Sequence, residues 1–234
     1  AAIAFGKLGN YRDSRERSFA LWDQFAPRET VVAALHHTVA VRTDGTVLAT
    51  GENEFGECNV SGWTDIIAVS ASSNHTVGLR SDGTVVAAGN NDSGQCDVSH
   101  WTDIVAIFAN SSPVSTIDKD CLGFTVGIKS DGSVVTAGYN GHGQLNVSDW
   151  SDVVCVTTAT IFINDGTVIV DSSHVLGLRA DGTVVIAGEN EKNWCDPVKE
   201  WTDIVSVYSS GMHIVGLKSD GTTVSVVSEA PALV

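Results

Sequence analysis

Ser81-Asp82-Gly83-Thr84-Val85 decides how this chain is read, because the motif returns. Its Asp-Gly core stands also at Asp44-Gly45, Asp131-Gly132, Asp181-Gly182 and Asp220-Gly221, at intervals of 38, 49, 50 and 39 residues. A beat of about 38 residues with two enlarged copies points to a propeller, a solenoid or an array. The flanks of the motif choose among these. Upstream, Trp63-Thr-Asp-Ile66-Ile67-Ala-Val69 is a β-rich apolar run, and His75-Thr-Val77-Gly-Leu79-Arg80 alternates with period two. Asp82-Gly83 supplies two residues able to take positive φ, the chemistry of a tight hairpin turn. Thr84 to Ala88 is a third strand ended by Gly89, and Gln95-Cys96-Asp-Val98 after a turn cluster reads as a short fourth. Four short antiparallel strands in one repeat describe a propeller blade.

The expected fold class is therefore all-β, a propeller with five visible repeats near 25–62, 63–100, 101–149, 150–200 and 201–234. The first 24 residues read differently. Ala1 to Leu8 is helical in character, Asp13-x-x-Glu16 resembles a capping box, and Phe19, Trp22 and Phe25 recur at helical spacing. The chain opens at Ala1 without Met, and the expectation is a processed product or an excised piece.

Column by column, the copies separate packing from chemistry. Trp63, Trp101, Trp150 and Trp201 open repeats, with Phe25 in that place in the first copy, and read as packing between blades. Ala40, Gly78, Gly127, Gly177 and Gly216 share a second-strand position, where small residues suit close backbone approach around a central axis. His37, His75, His174 and His213 share another, with Phe124 in the third copy. Phe cannot ligate a metal, so the position reads as a hydrogen-bonded lock on the blade. Cys58, Cys96 and Cys195 alternate with Leu145, and Cys155 stands where Ala68 and Ala106 do, which marks packing thiols. Cys121, in an insertion, is the cysteine to test for reactivity. No zinc spacing is present, and no cofactor or metal is expected.

The charge narrows the partner. Thirteen basic against 28 acidic residues give −15, which disfavours nucleic acid and favours a basic protein partner. No apolar run approaches the ~20 residues of a membrane span. There is no nucleophile elbow, phosphate-binding loop or His-Glu-x-x-His, and Asp65, Asp103, Asp152 and Asp203 repeat identically, whereas catalytic pairs need unlike environments. The compartment stays undecided.

The pattern Trp-Thr-Asp-Ile-Val-Ala, then His-Thr-Val-Gly-Leu-(Arg/Lys)-Ser-Asp-Gly-Thr-Val-Val-Ala-Ala-Gly-Asn-Asn-x-x-Gly-Gln, resembles the bacterial form of the regulator of chromosome condensation repeat. The resemblance covers about Phe25 to Val227. It implies a β-propeller that presents a loop face to a protein partner, as eukaryotic exchange factors for a small nuclear GTPase and a secreted bacterial β-lactamase inhibitor do. Such relatives usually have seven blades, so five copies form either a five-bladed toroid or an arc. Leu8-Gly9-Asn10-Tyr11-Arg12-Asp13-Ser14 is similar to a signature of tetratricopeptide-like repeats, so residues 1–24 read as the end of a helical array, or as a lone cap.

Function is expected where copies differ. The third copy carries added residues at Asn110 to Cys121, among them Pro113, Asp118 and Lys119. The fourth carries Thr160 to Val170, with Phe162, Asn164 and Asp165 around an Asn-Asp-Gly turn that reads as its own hairpin. Both inserts leave between first and second strands, on one face of adjacent blades, and loops on a rigid scaffold commonly carry binding. Trp194 departs from Gln95 and Gln144 at its position and reads as an exposed anchor or a packing substitution. Neutral decoration is the plain alternative for the inserts. The leading expectation is a non-enzymatic scaffold for protein–protein interaction. The alternatives are a carbohydrate-binding or enzymatic propeller and a structural spacer.

Overall fold

The computed structural model describes residues 31–111, 122–164, 169–188, 195–210 and 213–227. They form five antiparallel sheets of three strands each, in chain order. The first holds β1 (Val31–Ala33), β2 (His37–Val41) and β3 (Val47–Gly51), and the second β4 (Ile66–Ala71), β5 (His75–Arg80) and β6 (Val85–Gly89). The third holds β7 (Ile104–Ser111), β8 (Gly123–Lys129) and β9 (Val134–Gly138), and the fourth β10 (Val153–Asn164), β11 (Ile169–Arg179) and β12 (Val184–Gly188). The fifth holds β13 (Ile204–Ser210), β14 (His213–Lys218) and β15 (Thr223–Val227). Residues 1–30 lie outside the described residues, and with them the helical reading of residues 1–24.

The Asp-Gly motif does build the hairpin between second and third strands, but by another turn. Arg80 N–H donates to Thr84 O at 2.9 Å and Gly83 N–H to Arg80 O at 3.0 Å, which closes a three-residue loop with a bulged glycine. Only the glycine takes positive φ, +82° at Gly83. The aspartate works through its side chain: Asp82 Oδ1 accepts from Thr84 N–H at 2.9 Å and from its hydroxyl at 2.7 Å. The same clasp recurs at Asp44, Asp131, Asp181 and Asp220. These bonds favour the charged carboxylate, and all five aspartates are held below the usual carboxylate value by them.

The expected fourth strand is not formed. Gln95 to Val98 is turned backbone, with Asp97 N–H donating to Gly94 O at 3.1 Å and Val98 N–H to Cys96 O at 2.8 Å. The backbone spends its donors locally, and the buried Val98 acts as a plug. In the fourth copy the equivalent stretch is a 3-10 helix, Asp196–Glu200, opened by Pro197.

The apolar core lies between sheets. Four buried clusters correspond to the four junctions between five consecutive sheets. Each opening tryptophan sits in one of them and covers the small residue of its own sheet's second strand. A Cβ added at Gly78 would stand 2.7 Å from Trp63 Cζ3, and one at Gly127 2.8 Å from Trp101 Cζ3. The glycine is thus small to admit an indole ring, not to let backbones crowd an axis. Backbone bonds also cross each junction: Ile66, Ile104, Val153 and Ile204 each donate to the turn glycine of the preceding sheet at 3.0 Å. The residue before each of these donors, Asp65, Asp103, Asp152 and Asp203, holds φ between 57° and 61° to present that N–H.

The array is open among the described residues. Gly45, Gly83, Gly132 and Gly182 abut the backbone of the next sheet's aspartate, whereas a Cβ at Gly221 would meet nothing within 4 Å. This supplies a stability comparison. Gly83→Val places a branched side chain at positive φ and drives it toward Asp103 and Ile104, whose backbone nitrogens lie 3.3 Å from the new Cβ. Gly221→Val carries the φ penalty alone. The expected result is a clearly larger fall in melting temperature for Gly83→Val; equal falls would mean the turn does not seat on the next sheet.

Candidate functional site

Both inserts leave from the same end of adjacent sheets, the end opposite the Asp-Gly turns. In the third sheet, β7 and β8 pair out to Ser111↔Gly123. In the fourth, pairing continues from Thr160↔Ser173 through Ile161↔Ser172, Phe162↔Asp171 and Ile163↔Val170 to Asn164↔Ile169. The second insert is therefore an extension of the β10–β11 hairpin rather than a separate one. Backbone pairing places Phe162 and Asn164 on that extension. Pro113, Asp118, Lys119, Asp165 and Trp194 lie outside the described residues, as does Cys121. The counterparts of Trp194 are Glu57, Gln95 and Gln144, all buried. Each folds back on its own turn: Glu57 Oε2 accepts from Phe55 N–H at 2.9 Å, Gln95 Oε1 from Ser93 N–H at 3.0 Å, and Gln144 Oε1 from His142 N–H at 3.0 Å.

Beneath this end runs a buried polar layer. His37 Nε2 lies 2.7 Å from Thr76 Oγ1, and His75 Nε2 lies 3.1 Å from Thr125 Oγ1. Each threonine hydroxyl is committed as a donor to a backbone carbonyl, Thr76 to Glu57 O and Thr125 to Gln95 O, both at 2.8 Å. The hydroxyl oxygen must then accept, so the imidazole carries its proton on Nε2. For His75 the other nitrogen, Nδ1, accepts from Ser72 Oγ at 2.6 Å. His174 reaches Ser209 Oγ at 2.9 Å. His37, His75 and His174 thus each lock a sheet to the next, as the repeated column suggested, whereas His213, in the fifth sheet, is exposed and makes no such bond among the described residues.

At the first three junctions the layer follows a rule that compares one copy with the next; at the fourth, Ile214 stands at the threonine position and His174 reaches Ser209 instead. The residue after the histidine position is Thr76, Thr125, Val175 or Ile214 in successive sheets. Where the preceding copy has Phe124, the next has Val175, and both are in the same apolar cluster. A polar pair is exchanged for an apolar pair across one junction. Comparing columns within the repeat hides this; comparing neighbouring copies would have found it.

A serine, an imidazole and a hydroxyl in line invite a catalytic reading, and the geometry argues against it. His75 is fully buried, and burial pulls its pKa down to about 3. Burial brings His174 to about 4 and lowers His37 as well. An imidazole sealed from solvent has no substrate proton within reach. The thiols are equally quiet: burial raises Cys96 to about 11 and Cys195 to about 12. Reactive cysteines are shifted the other way. A cleft of about 270 Å³, lined by Trp150, Arg179, Lys199 and Val184 to Ile186, lies at the Asp-Gly end of the fourth sheet, away from the inserts. Among the described residues no group of His, Cys, Asp or Glu is placed to hold a metal ion, and no helix is long and apolar enough to cross a membrane.

Comparison with known proteins agrees with the repeat. Residues 66–95 match the family model for the regulator of chromosome condensation (RCC1) repeat. No curated protein sequence matches the chain. Two crystal structures of yeast Prp20 are similar at 16% identity. The one with Kap60 has a TM-score of 0.55, with 84% of this chain covered and 55% of that chain. The other, of the Saccharomyces cerevisiae protein described with its binding to Gsp1p and histones, has 0.54, covering 86% and 58%. Human WBSCR16 is similar at 15% identity and a TM-score of 0.55, covering 88% of this chain and 65% of its own. The chain spans less than two thirds of the length of each. With five sheets in sequence and indole-filled junctions, the chain is similar in fold to these β-propeller structures, and its residues 66–95 carry a regulator of chromosome condensation repeat.

Proposed function

We propose that the chain is a non-enzymatic scaffold that binds a basic protein through the end of the third and fourth sheets bearing the inserts. The observation that carries this reading is the confinement of both departures from the repeat to one end of two neighbouring sheets. The frame beneath them is well packed: β8 is buried along nearly its whole length, Phe124 and Val175 share the apolar cluster between the two sheets, and His75–Thr125 ties the third sheet to the second. Pro113, Asp118, Lys119, Phe162, Asn164, Asp165 and Trp194 are the residues assigned to the contact. A net charge of −15 draws cationic partners and speeds their encounter. The described binding of yeast Prp20 to histones, which are basic, supports the same partner class. In this reading residues 1–24 are a helical segment preceding a propeller over 25–234.

Two deletions test it: removal of residues 112–121, and replacement of residues 161–172 by an Asn-Gly turn that closes the shortened hairpin. Both variants are expected to keep the melting temperature within a few degrees, because the junction clusters are untouched. Both should bind a histone probe at least tenfold more weakly than the parent chain, in a titration repeated at rising salt. Undiminished binding by both would sink the assignment of this face.

A further inference from the structure

We infer that the cleft at the Asp-Gly end of the fourth sheet is a binding site for a carboxylate that carries an apolar chain. The inference does not rest on the insert face. Two cations meet in this cleft, Arg179 from the end of β11 and Lys199 from the 3-10 helix. Trp150, Val184 and Ile186 give it an apolar wall, and the exposed Asp149 also lines it. Its volume of about 270 Å³ is near the lower bound of ordinary small-molecule sites. The repeat shows what sets this copy apart. The first cation belongs to a column, Arg42, Arg80, Lys129, Arg179 and Lys218, but the second does not: Ser61, Ser99 and Ser148 stand where Lys199 does. In the fourth copy Pro197 opens a 3-10 helix in place of the turn, and Asp196 Oδ1 holds the Lys199 ammonium at 2.8 Å. An ammonium has three donors, so two remain for a ligand.

Arg179 lacks an acceptor. Its Nε is buried with no hydrogen-bond partner among the described residues. A buried donor left unpaired is costly and rare, so an acceptor belongs beside it. Charge decides what kind. Asp149 and Asp196 stand by the two cations, and the chain as a whole carries −15. A dianion such as phosphate meets more of this repulsion than a monoanion does. A carboxylate matches the planar guanidinium fork with a single charge, and the apolar wall takes a hydrocarbon chain out of water. Two sources offer this chemistry: a free apolar acid, and the C-terminus of a peptide that ends in an apolar residue.

Calorimetric titration of the 234-residue chain with isocaproate tests this, with melting curves as the check on folding. Isocaproate is expected to bind, and isocaproamide, which keeps the shape and loses the charge, should bind roughly tenfold more weakly or not at all. Lys199→Ser installs the residue of the other copies and should weaken isocaproate several-fold at an unchanged melting temperature. Arg179→Gln should abolish binding, while Arg179→Lys, which keeps the charge and loses the fork, should retain part of it. If Arg179→Gln melts early, Lys199→Ser and Arg179→Lys carry the test. Asp149→Asn should tighten binding, and added salt should weaken it. A short peptide ending in leucine, with its C-terminus free or amidated, separates the sources. Tighter binding of the free-ended peptide than of isocaproate assigns the site to a chain terminus, weaker binding assigns it to a free acid, and both uphold the inference. Equal binding of acid and amide overturns it, as does phosphate binding more tightly than isocaproate. So does a chain that binds neither isocaproate nor the peptide, or isocaproate binding that survives Lys199→Ser and Arg179→Gln alike.

Discussion

Trp101→Ala is expected to cost about 3–5 kcal/mol, as truncation of a buried aromatic usually does. That is a large part of the roughly 5–15 kcal/mol by which a domain is folded. Trp101 is buried at the junction of the second and third sheets, among Val77, Leu79, Val85, Val98, Ile104 and Ile107. Its ring occupies the space a side chain at Gly127 would claim. Alanine therefore leaves a void on both sides, against Gly127 in its own sheet and against β5 in the preceding one. Neither strand can collapse into it, because backbone bonds from Ile104 to Gly83 and from Ser130 to Asp103 pin the spacing. In a linear array, stability is a sum of units and junctions. Weakening a central junction should also divide the unfolding into two transitions in calorimetry. Trp201→Ala, at the last junction, should shed only the terminal sheet.

The first copy supplies a control for this argument. In sequence, its opening aromatic is Phe25 and its strand position is Ala40, a smaller ring matched with a larger residue in the same two columns. Trp101→Phe alone leaves a gap, and Gly127→Ala alone forces its Cβ to 2.8 Å from the indole. The double substitution should be more stable than either single one, because the two volume changes offset each other. Additive losses would show that ring and glycine do not share one space.

These features were legible in the sequence to different depths, for physical reasons. The Asp-Gly motif located all five hairpins, since a glycine at positive φ has few other uses between two alternating runs. It did not distinguish a two-residue turn from a three-residue one. That depends on whether Thr84 pairs with Arg80, a matter of register between strands. The mid-strand glycines signalled a close approach without identifying the approaching group, which comes from a tryptophan 15 to 27 residues upstream. Gln95 to Val98 read as a strand because alternation over four residues is weak evidence. Its Asn91 partner, accepting from Cys96 N–H at 2.8 Å, bends it instead. The inserts have no counterpart in other copies, so the repeat that placed everything else is silent about them. Only the hairpin extension carrying Phe162 and Asn164 could be placed by pairing.

Acid should unfold this chain well above the pH at which its turn aspartates titrate, and the histidine layer is the cause. Burial holds His75 at about 3 and His174 at about 4, below the ordinary 6.5 that each regains when unfolded. A group with a depressed folded value stabilises fully above its unfolded value and loses that contribution as pH falls toward the folded one. At about pH 4.5, two units below 6.5, each of these histidines withdraws roughly 2–3 kcal/mol, and together about 5 kcal/mol. Protonation of carboxylates acts in the opposite direction there by reducing the −15 charge, so the comparison must be between variants. The junction between the third and fourth sheets already shows the substitution to use, Phe124 against Val175. His75→Phe with Thr125→Val copies that pair into the preceding junction. The double variant should lose roughly 2–3 kcal/mol less than the parent between about pH 7.5 and pH 4.5 in urea melts. His75→Phe alone should be less stable at neutral pH, because it leaves Ser72 and Thr125 without the imidazole that partners their hydroxyls. An unchanged pH dependence in the double variant would show that the buried imidazoles do not control acid stability.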